Sequence, residues 1–392
     1  MAKDSVKILH TADWHLGSDF HSFADPAVRE ALKDRQAAIF SELRRAVDEK
    51  AVDLVLIGGD FFDKPDPSRL LTDWVRSQLS DLPCPVLIVA GNHDPFMVAS
   101  HWENPWPSNV KIAPADCLQT FDYEDLGVRV FAQSFADIYE RQSLLNSESL
   151  VTDPKYPISI LLVHGDIDRE SGRSDYNPIP LESLRGKGLN YVALGHIHKA
   201  QEASLGYDDA LWAYPGFPQG RGFDELGPGF FRIGTFSPGL AGKVRQTWEN
   251  FPLETGRFLI REVDITAAKT QDDVHAIIDE ALAKWQETVS YKLEDQVIRL
   301  LLIGKPDLAY GLDLNLYKTT SEGRKYFYIE LKDRTRPPFD PDHLLRLPGF
   351  GQTLVQVLQS YEARVRTPED REKLDRALDT ILRAQERVQH ED

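Results

Sequence analysis

The stretch Val52–Asp63, VDLVLIGGDFFD, decides the fold. Val52, Leu54, Val55, Leu56 and Ile57 form a short run rich in β-branched residues and apolar on both faces, which is how a central parallel strand reads. Gly58 and Gly59 then permit a sharp turn that sets Asp60 at the carboxyl end of the strand, where α/β sheets place their chemistry. On this stretch alone Asp60 has two readings: a site carboxylate, or a cap for the following helix.

Working outward, the same pattern recurs. Val6–His10 is a short strand that runs into Thr11-Ala12-Asp13-Trp14-His15-Leu16-Gly17. Between the two strands, Val28, Leu32, Ile39, Leu43 and Val47 fall close to helical spacing, so Pro26–Lys50 reads as one amphipathic helix and the whole as a right-handed βαβ unit. Pro65, Asp66 and Pro67 introduce a second helix over Ser68–Leu79. Val86–Ala90 is a third buried strand and delivers Gly91-Asn92-His93-Asp94. Val128–Ala132 and Ile158–Val163 follow, the latter ending in His164-Gly165, and Tyr191–Leu194 ends in Gly195-His196-Ile197-His198. Leu211–Tyr214, Phe230–Ile233 and Val244–Trp248 read as shorter, more antiparallel strands that complete a second sheet and close the domain near residue 255.

From Arg257 the glycine-punctuated strand ends stop. Phe258–Val263, Gln296–Ile303 and Lys325–Leu331 read as strands, with a helix over Gln271–Thr288, which makes a small separate α/β module. Beyond Pro337 the pattern is helical: Thr367-Pro368 is an N-cap with proline at N1, and Leu374, Leu378, Ile381, Leu382 and Val388 form an apolar stripe. The expected organisation is α/β, a two-sheet α/β sandwich over residues 1–256, a module over 257–337 and C-terminal helices over 338–392.

Composition narrows the function classes. The 392 residues, 42% of them hydrophobic, suffice for a sizeable core. The apolar runs are far too short to span a bilayer, and the start MAKDSVKILH lacks the long apolar core of a signal peptide, so a cytoplasmic location is expected. Cys84 and Cys117 stand alone and offer neither a disulfide framework nor a thiolate metal site. The formal charge of −17 disfavours indiscriminate binding to phosphate polymers but leaves room for a nuclease, because site-bound divalent cations reverse the local field.

Five strand ends together supply Asp13 and His15, Asp60, Asn92 and His93, His164, and His196 and His198. Each alone reads as a structural residue or turn former; as a set they read as a metal centre. Mixed carboxylate, imidazole and amide-oxygen donors suit Mn²⁺, Fe²⁺ or Zn²⁺ better than Mg²⁺ or Ca²⁺, with manganese or iron favoured by the number of imidazoles. A carboxylate such as Asp60 can bridge two ions about 3.5 to 4 Å apart, the spacing of two-metal hydrolysis.

The ordered set D-x-H, GD, GNHD, His164-Gly165 and GHxH resembles the calcineurin-like metallophosphoesterase superfamily, over roughly residues 5 to 255. That resemblance implies that Asp13, His15, Asp60 and His198 hold one metal and that Asp60, Asn92, His164 and His196 hold the other. It makes Asp60 and His93 the catalytic pair, His93 standing near the leaving group as a general acid or transition-state stabiliser. Within the superfamily, ILHTADWHLG and GGDFFDKPDPS are similar to the SbcD-like bacterial DNA repair exonucleases, and Tyr214–Arg221, YPGFPQGR, to their YhaO-type branch. Archaeal and eukaryotic members carry a second non-ligand histidine where this chain has Asp63.

The resemblance implies DNA phosphodiester cleavage with manganese, a capping domain over 257–337 that helps place DNA, and C-terminal helices that dock on an SbcC-type coiled-coil ATPase. It also implies a homodimer, for which Phe96, Met97, Trp102 and Trp106 are either the contact face or plain core. Arg221 is either a phosphate contact or a surface arginine, and Asp63 is a candidate on the substrate side. Two other functions compete: a small-molecule phosphodiesterase or phosphatase, and a non-catalytic scaffold for a DNA-end-binding ATPase.

Overall fold

The computed structural model describes residues 5–145, 149–168, 174–207, 209–239, 243–308 and 311–335, with scattered positions between 355 and 380. The chain divides into two compact units, residues 1–259 with 295–297 and residues 260–294 with 298–392.

The first unit opens with β1 (Val6–Thr11), α1 (Pro26–Ala37), α2 (Ile39–Lys50), β2 (Leu54–Gly58), α3 (Arg69–Ser80), β3 (Val86–Val89) and β4 (Val110–Ile112). The chain then crosses to β5 (Gln119–Tyr123), β6 (Val128–Gln133) and β7 (Ile158–His164). A short parallel pair, β8 (Ile167–Asp168) and β9 (Ile179–Pro180), and the single turn α4 (Leu181–Leu184) lead to β10 (Tyr191–Gly195), β11 (Gln201–Ser204) and β12 (Leu211–Tyr214). β13 (Phe230–Pro238) and β14 (Val244–Pro252) end the series. Among the described residues these strands make two six-stranded sheets, ordered β14-β13-β1-β2-β3-β4 and β11-β12-β10-β7-β6-β5.

The period-two alternation of each strand divides its side chains between layers. Along β2, Val55 and Ile57 pack with Phe40, Leu43 and Val47 of α2 and Val75 and Leu79 of α3. Leu54 and Leu56 instead pack with Val130, Ile160, Leu162 and Tyr191 from the second sheet. Leu161, Val163, Val192 and Leu194 face a third cluster with Leu184, Leu189 and Leu205. The two sheets thus lie face to face over a shared core. They come close where β2 and β10 end, since a Cβ at Gly195 would run into the Gly58 carbonyl oxygen and stand 2.9 Å from the Ala12 methyl. Only glycine fits there, and the loops leaving both sheets are brought to one place.

Three expectations need correction. Pro26–Lys50 is two helices, with α1 capped by Asp25 and closed at Ala38, and α2 starting at Ile39. The reason is that the apolar stripe is not continuous: α1 buries only Leu32 and Gln36, whereas α2 buries Ile39, Phe40, Leu43, Ala46 and Val47. The late strands do not all complete the second sheet. β12 does, parallel to β10, but β13 pairs antiparallel with β1 and β14 with β13, which extends the first sheet and covers the open edge of β1. The last strand of the second unit starts late, because Gly323–Lys325 makes a turn of 3₁₀-helix.

In the second unit β15 (Phe258–Asp264), β16 (Val297–Ile303) and β17 (Tyr328–Asp333) form a three-stranded sheet in that order. α5 (Gln271–Glu287) begins with a Thr270/Asp273 capping box and buries Val274, Ile278, Leu282 and Trp285, one face at helical spacing. α6 (Leu316–Thr319) is a single turn. Leu374 is buried, while Pro368 and the stripe residues Leu378, Ile381, Leu382 and Val388 lie outside the described residues, as do 336–354. No helix among the described residues is long and apolar enough to cross a membrane.

Candidate metal centre

Each candidate side chain leaves the end of a buried strand, and the loops are held together by main-chain bonds between strand ends. Asp13 N donates to Gly59 O at 3.0 Å, His15 N to Asp60 O at 2.9 Å and Leu16 N to Phe61 O at 2.9 Å, so the loop after β1 is zipped to the loop after β2. The second sheet joins through His196 N, which donates to Asp13 Oδ1 at 3.0 Å. Asp60 caps no helix; its Oδ1 accepts the His93 amide at 2.9 Å. Eight non-glycine residues among those described have positive φ, and four of them are candidate ligands: Asp13 (56°), His15 (48°), Asp60 (49°) and His196 (110°). Such backbone stores about 1–3 kcal/mol per residue, and it persists only where surrounding contacts over-determine it, as at functional sites.

The structure gathers all seven candidates around two adjacent positions. Donor atoms of Asp13, His15, Asp60 and His198 lie within 4.8 Å of one another, as do those of Asp60, His164 and His196, and Asp60 belongs to both groups. Its Oδ2 is 3.7 Å from His15 Nε2 and its Oδ1 is 3.5 Å from His164 Nε2, one oxygen toward each group. Asn92 Oδ1 completes the second group, 3.0 Å from His164 Nε2 and 3.1 Å from His196 Nδ1.

The donor chemistry fits divalent cations. His164 Nδ1–H donates to Gly58 O at 2.8 Å, which fixes the tautomer that leaves the Nε2 lone pair free on the side of Asp60 and Asn92. His198 Nδ1–H donates to Glu225 Oε1 at 2.6 Å and turns its Nε2 toward His15 Nε2, 3.2 Å away. Two ring nitrogens at that distance need a proton or a cation to hold them. Burial drives His15 and His196 down to about 4 and lowers His164 as well, so these rings are neutral ligands at neutral pH. His198 goes the other way: Glu225 and Asp13 outweigh burial and raise it, a proton that an arriving ion would displace. Burial raises Asp13, helped by the nearby Asp60; burial also opposes ionisation of Asp60, but the imidazoles of His164, His15 and His93 and the His93 amide outweigh it.

His93 is exposed and sits at the rim, its ring edge-on to His15 with centroids 4.6 Å apart and its Nδ1 3.2 Å from Asp63 O. Arg221 is half-buried, pairing with Asp63 Oδ1 at 3.2 Å and Glu225 Oε1 at 2.8 Å. Of the four residues offered as a contact face, Trp102 is buried, while Phe96 and Trp106 pack partly buried against the same core and Met97 is half-buried.

Sequence reasoning missed four supporting residues. Asp94 stood in the quoted GNHD without a role; it accepts Gly91 N at 2.7 Å, Phe61 N at 2.8 Å and Phe62 N at 2.9 Å, binding two ligand loops together. Glu225 orients His198. Asn177 Nδ2 donates to His164 O at 2.7 Å, and Gln36 Nε2 to His15 O at 2.9 Å. Asp94 had the only readable signal, a second carboxylate on a ligand loop.

Comparison with known proteins agrees with this geometry. Over 315 residues the chain is 26% identical to the uncharacterized metallophosphoesterase YhaO of Bacillus subtilis, covering 76% of this chain and 72% of that protein. It is 26% identical over 319 residues to the SbcD component of the nuclease SbcCD from the same organism, covering 70% of this chain and 76% of that one. It is 28% identical over 241 residues to the DNA double-strand break repair protein Mre11 of Saccharolobus solfataricus, covering 58% of this chain and 60% of that one. Residues 6–200 match the calcineurin-like phosphoesterase family, and this span contains every one of the seven converging side chains: the chain carries a calcineurin-like phosphoesterase domain.

Proposed function

We propose that the chain is a two-metal-dependent DNA nuclease, the nuclease component of an SbcCD-like complex acting in DNA repair. The observation that carries the reading is the convergence of seven donor side chains on two adjacent positions sharing Asp60, with the exposed His93 at their rim. When bound, two divalent ions, manganese by the imidazole-rich donor set, would lower the pKa of water and offset phosphate charge. The chain's own residues do the rest. Asp13, His15, Asp60 and His198 hold one ion, and Asp60, Asn92, His164 and His196 hold the other. As an imidazolium, His93 donates Nδ1–H to Asp63 O and keeps Nε2–H to give to the leaving oxygen.

The DNA assignment is supported by similarity to the SbcD component of the nuclease SbcCD and to Mre11. On the same footing, residues 257–337 act as a cap that helps place DNA, residues 338–392 dock a coiled-coil ATPase of the SbcC type, and the protein works as a cytoplasmic homodimer. Purified protein with Mn²⁺ is expected to cleave single- and double-stranded oligonucleotides as well as bis(p-nitrophenyl) phosphate. Hydrolysis of the small diester with DNA left intact would replace this reading by a small-molecule phosphodiesterase. Full association with the ATPase and no hydrolysis by either wild type or Asp60→Asn would replace it by a scaffold. Removal of 338–392 is expected to spare cleavage of short DNA and abolish capture of the ATPase.

A further inference from the structure

We propose that the two cation positions are unequal, and that the one formed by Asp13, His15, Asp60 and His198 is the tighter because a clasp of Arg221, Glu225 and Asp63 backs the imidazole of His198. This rests on the two-metal reading above and adds to it an order of loading.

The clasp is built from buried charge. Glu225 is 4% exposed. Its Oε1 accepts His198 Nδ1–H at 2.6 Å and Arg221 Nη2 at 2.8 Å, while its Oε2 accepts the Arg221 main-chain amide at 2.7 Å. Arg221 Nη1 reaches across to Asp63 Oδ1 at 3.2 Å, and that same oxygen takes the Ser18 hydroxyl at 3.0 Å and stands 3.5 Å from His15 Nδ1. One guanidinium therefore holds two carboxylates: Glu225, which is hydrogen-bonded to His198, and Asp63, which stands near His15 Nδ1 without a hydrogen bond to it. A ring whose far nitrogen faces a carboxylate is a more basic and better oriented ligand than one that faces a neutral carbonyl.

The other position lacks this backing. His164 Nδ1 donates to the neutral carbonyl of Gly58, and Asp166 Oδ1, 3.6 Å from His196 Nε2, stands off much as Asp63 does from His15, so the two positions differ by the Glu225–His198 bond. Arg221 is thus a positioning residue: its guanidinium, engaged by Glu225 and Asp63, sets ligands.

Titration of chelator-stripped protein with Mn²⁺, followed by calorimetry and electron paramagnetic resonance, tests the inequality. Wild type is expected to bind in two steps at least about tenfold apart, the first giving an isolated Mn²⁺ signal and the second a coupled pair. Glu225→Ala is expected to weaken the first step by about 10- to 100-fold, and Glu225→Gln, whose amide oxygen still accepts His198 Nδ1–H, to recover part of it. His198→Ala should remove the strong step and His164→Ala the weak one, a contrast that holds even where Glu225→Ala fails to fold. Two equal steps in wild type, unchanged steps in a folded Glu225→Ala, or loss of the strong step with His164→Ala would each overturn the proposal. Binding of a single ion, or none, would overturn the two-metal reading and this proposal with it.

Discussion

The main-chain amide of His93 donates to Oδ1 of Asp60 at 2.9 Å, so the exposed imidazole and the carboxylate shared by both cation positions are tied by one peptide group. Any substitution of His93 other than by proline leaves that amide in place.

His93→Gln is therefore expected to lower turnover of a phosphodiester by about 10²-fold or more while both ions remain bound. Steady-state kinetics with bis(p-nitrophenyl) phosphate, alongside metal analysis of the same sample, checks both halves. Loss of an ion would make His93 a ligand.

Asp94 uses both oxygens to hold three amides of two ligand loops, and it is buried. Asparagine keeps a single acceptor oxygen and turns an NH₂ group toward at least one N–H. Asp94→Asn is expected to destabilise the fold by about 1–3 kcal/mol, read as a lower urea midpoint with unchanged slope.

Gly91 leaves no room for a side chain. A Cβ there would stand 2.6 Å from the Asp60 nitrogen and 2.9 Å from His164 Cε1, and would run into Asp60 Oδ1. Gly91→Ala is expected to displace Asp60 and weaken binding of both ions at least about tenfold, since misplaced ligands lose affinity on the scale of lost supporting contacts. Competition with a chelator measures it.

His10 is fully buried, its Nδ1 2.8 Å from the Tyr191 hydroxyl, and burial aided by Arg232 lowers it to about 3. Because the folded pKa lies below that of the unfolded chain, the unfolded state binds the extra proton between about pH 6.5 and 3. His10 thus contributes stability that is fully present above pH 6.5 and is lost, by up to about 1.4 kcal/mol per pH unit, as pH falls. In chelator-stripped protein, denaturant unfolding at pH 7 and pH 5 should show a smaller loss for His10→Gln than for wild type. Equal losses would assign the titration elsewhere.

The strand ends were legible because parallel strands buried on both faces run as unbroken apolar segments and stop on glycine, and because the chemistry sits within a few residues of each stop. The sheet joined by each late strand was not legible: β13 lies beside β1 more than two hundred positions earlier, and nothing local in Phe230–Pro238 names that partner. Glu225 was invisible for a similar reason, since it lies on a turn 27 positions after His198 with no strand to announce it. The pairing of Asp63 with Arg221 spans 158 positions and shows only in three dimensions. Left-handed backbone at Asp13, His15 and Asp60 was not legible either: Asp and His adopt it more often than most residues, but they stand far more often in ordinary backbone.

That left-handed backbone has a consequence for substitution. At Asp13, His15 and Asp60 it is held by bonds between the loops after β1 and β2, and a β-branched residue placed at any of them would add backbone strain of its own to the loss of a donor atom.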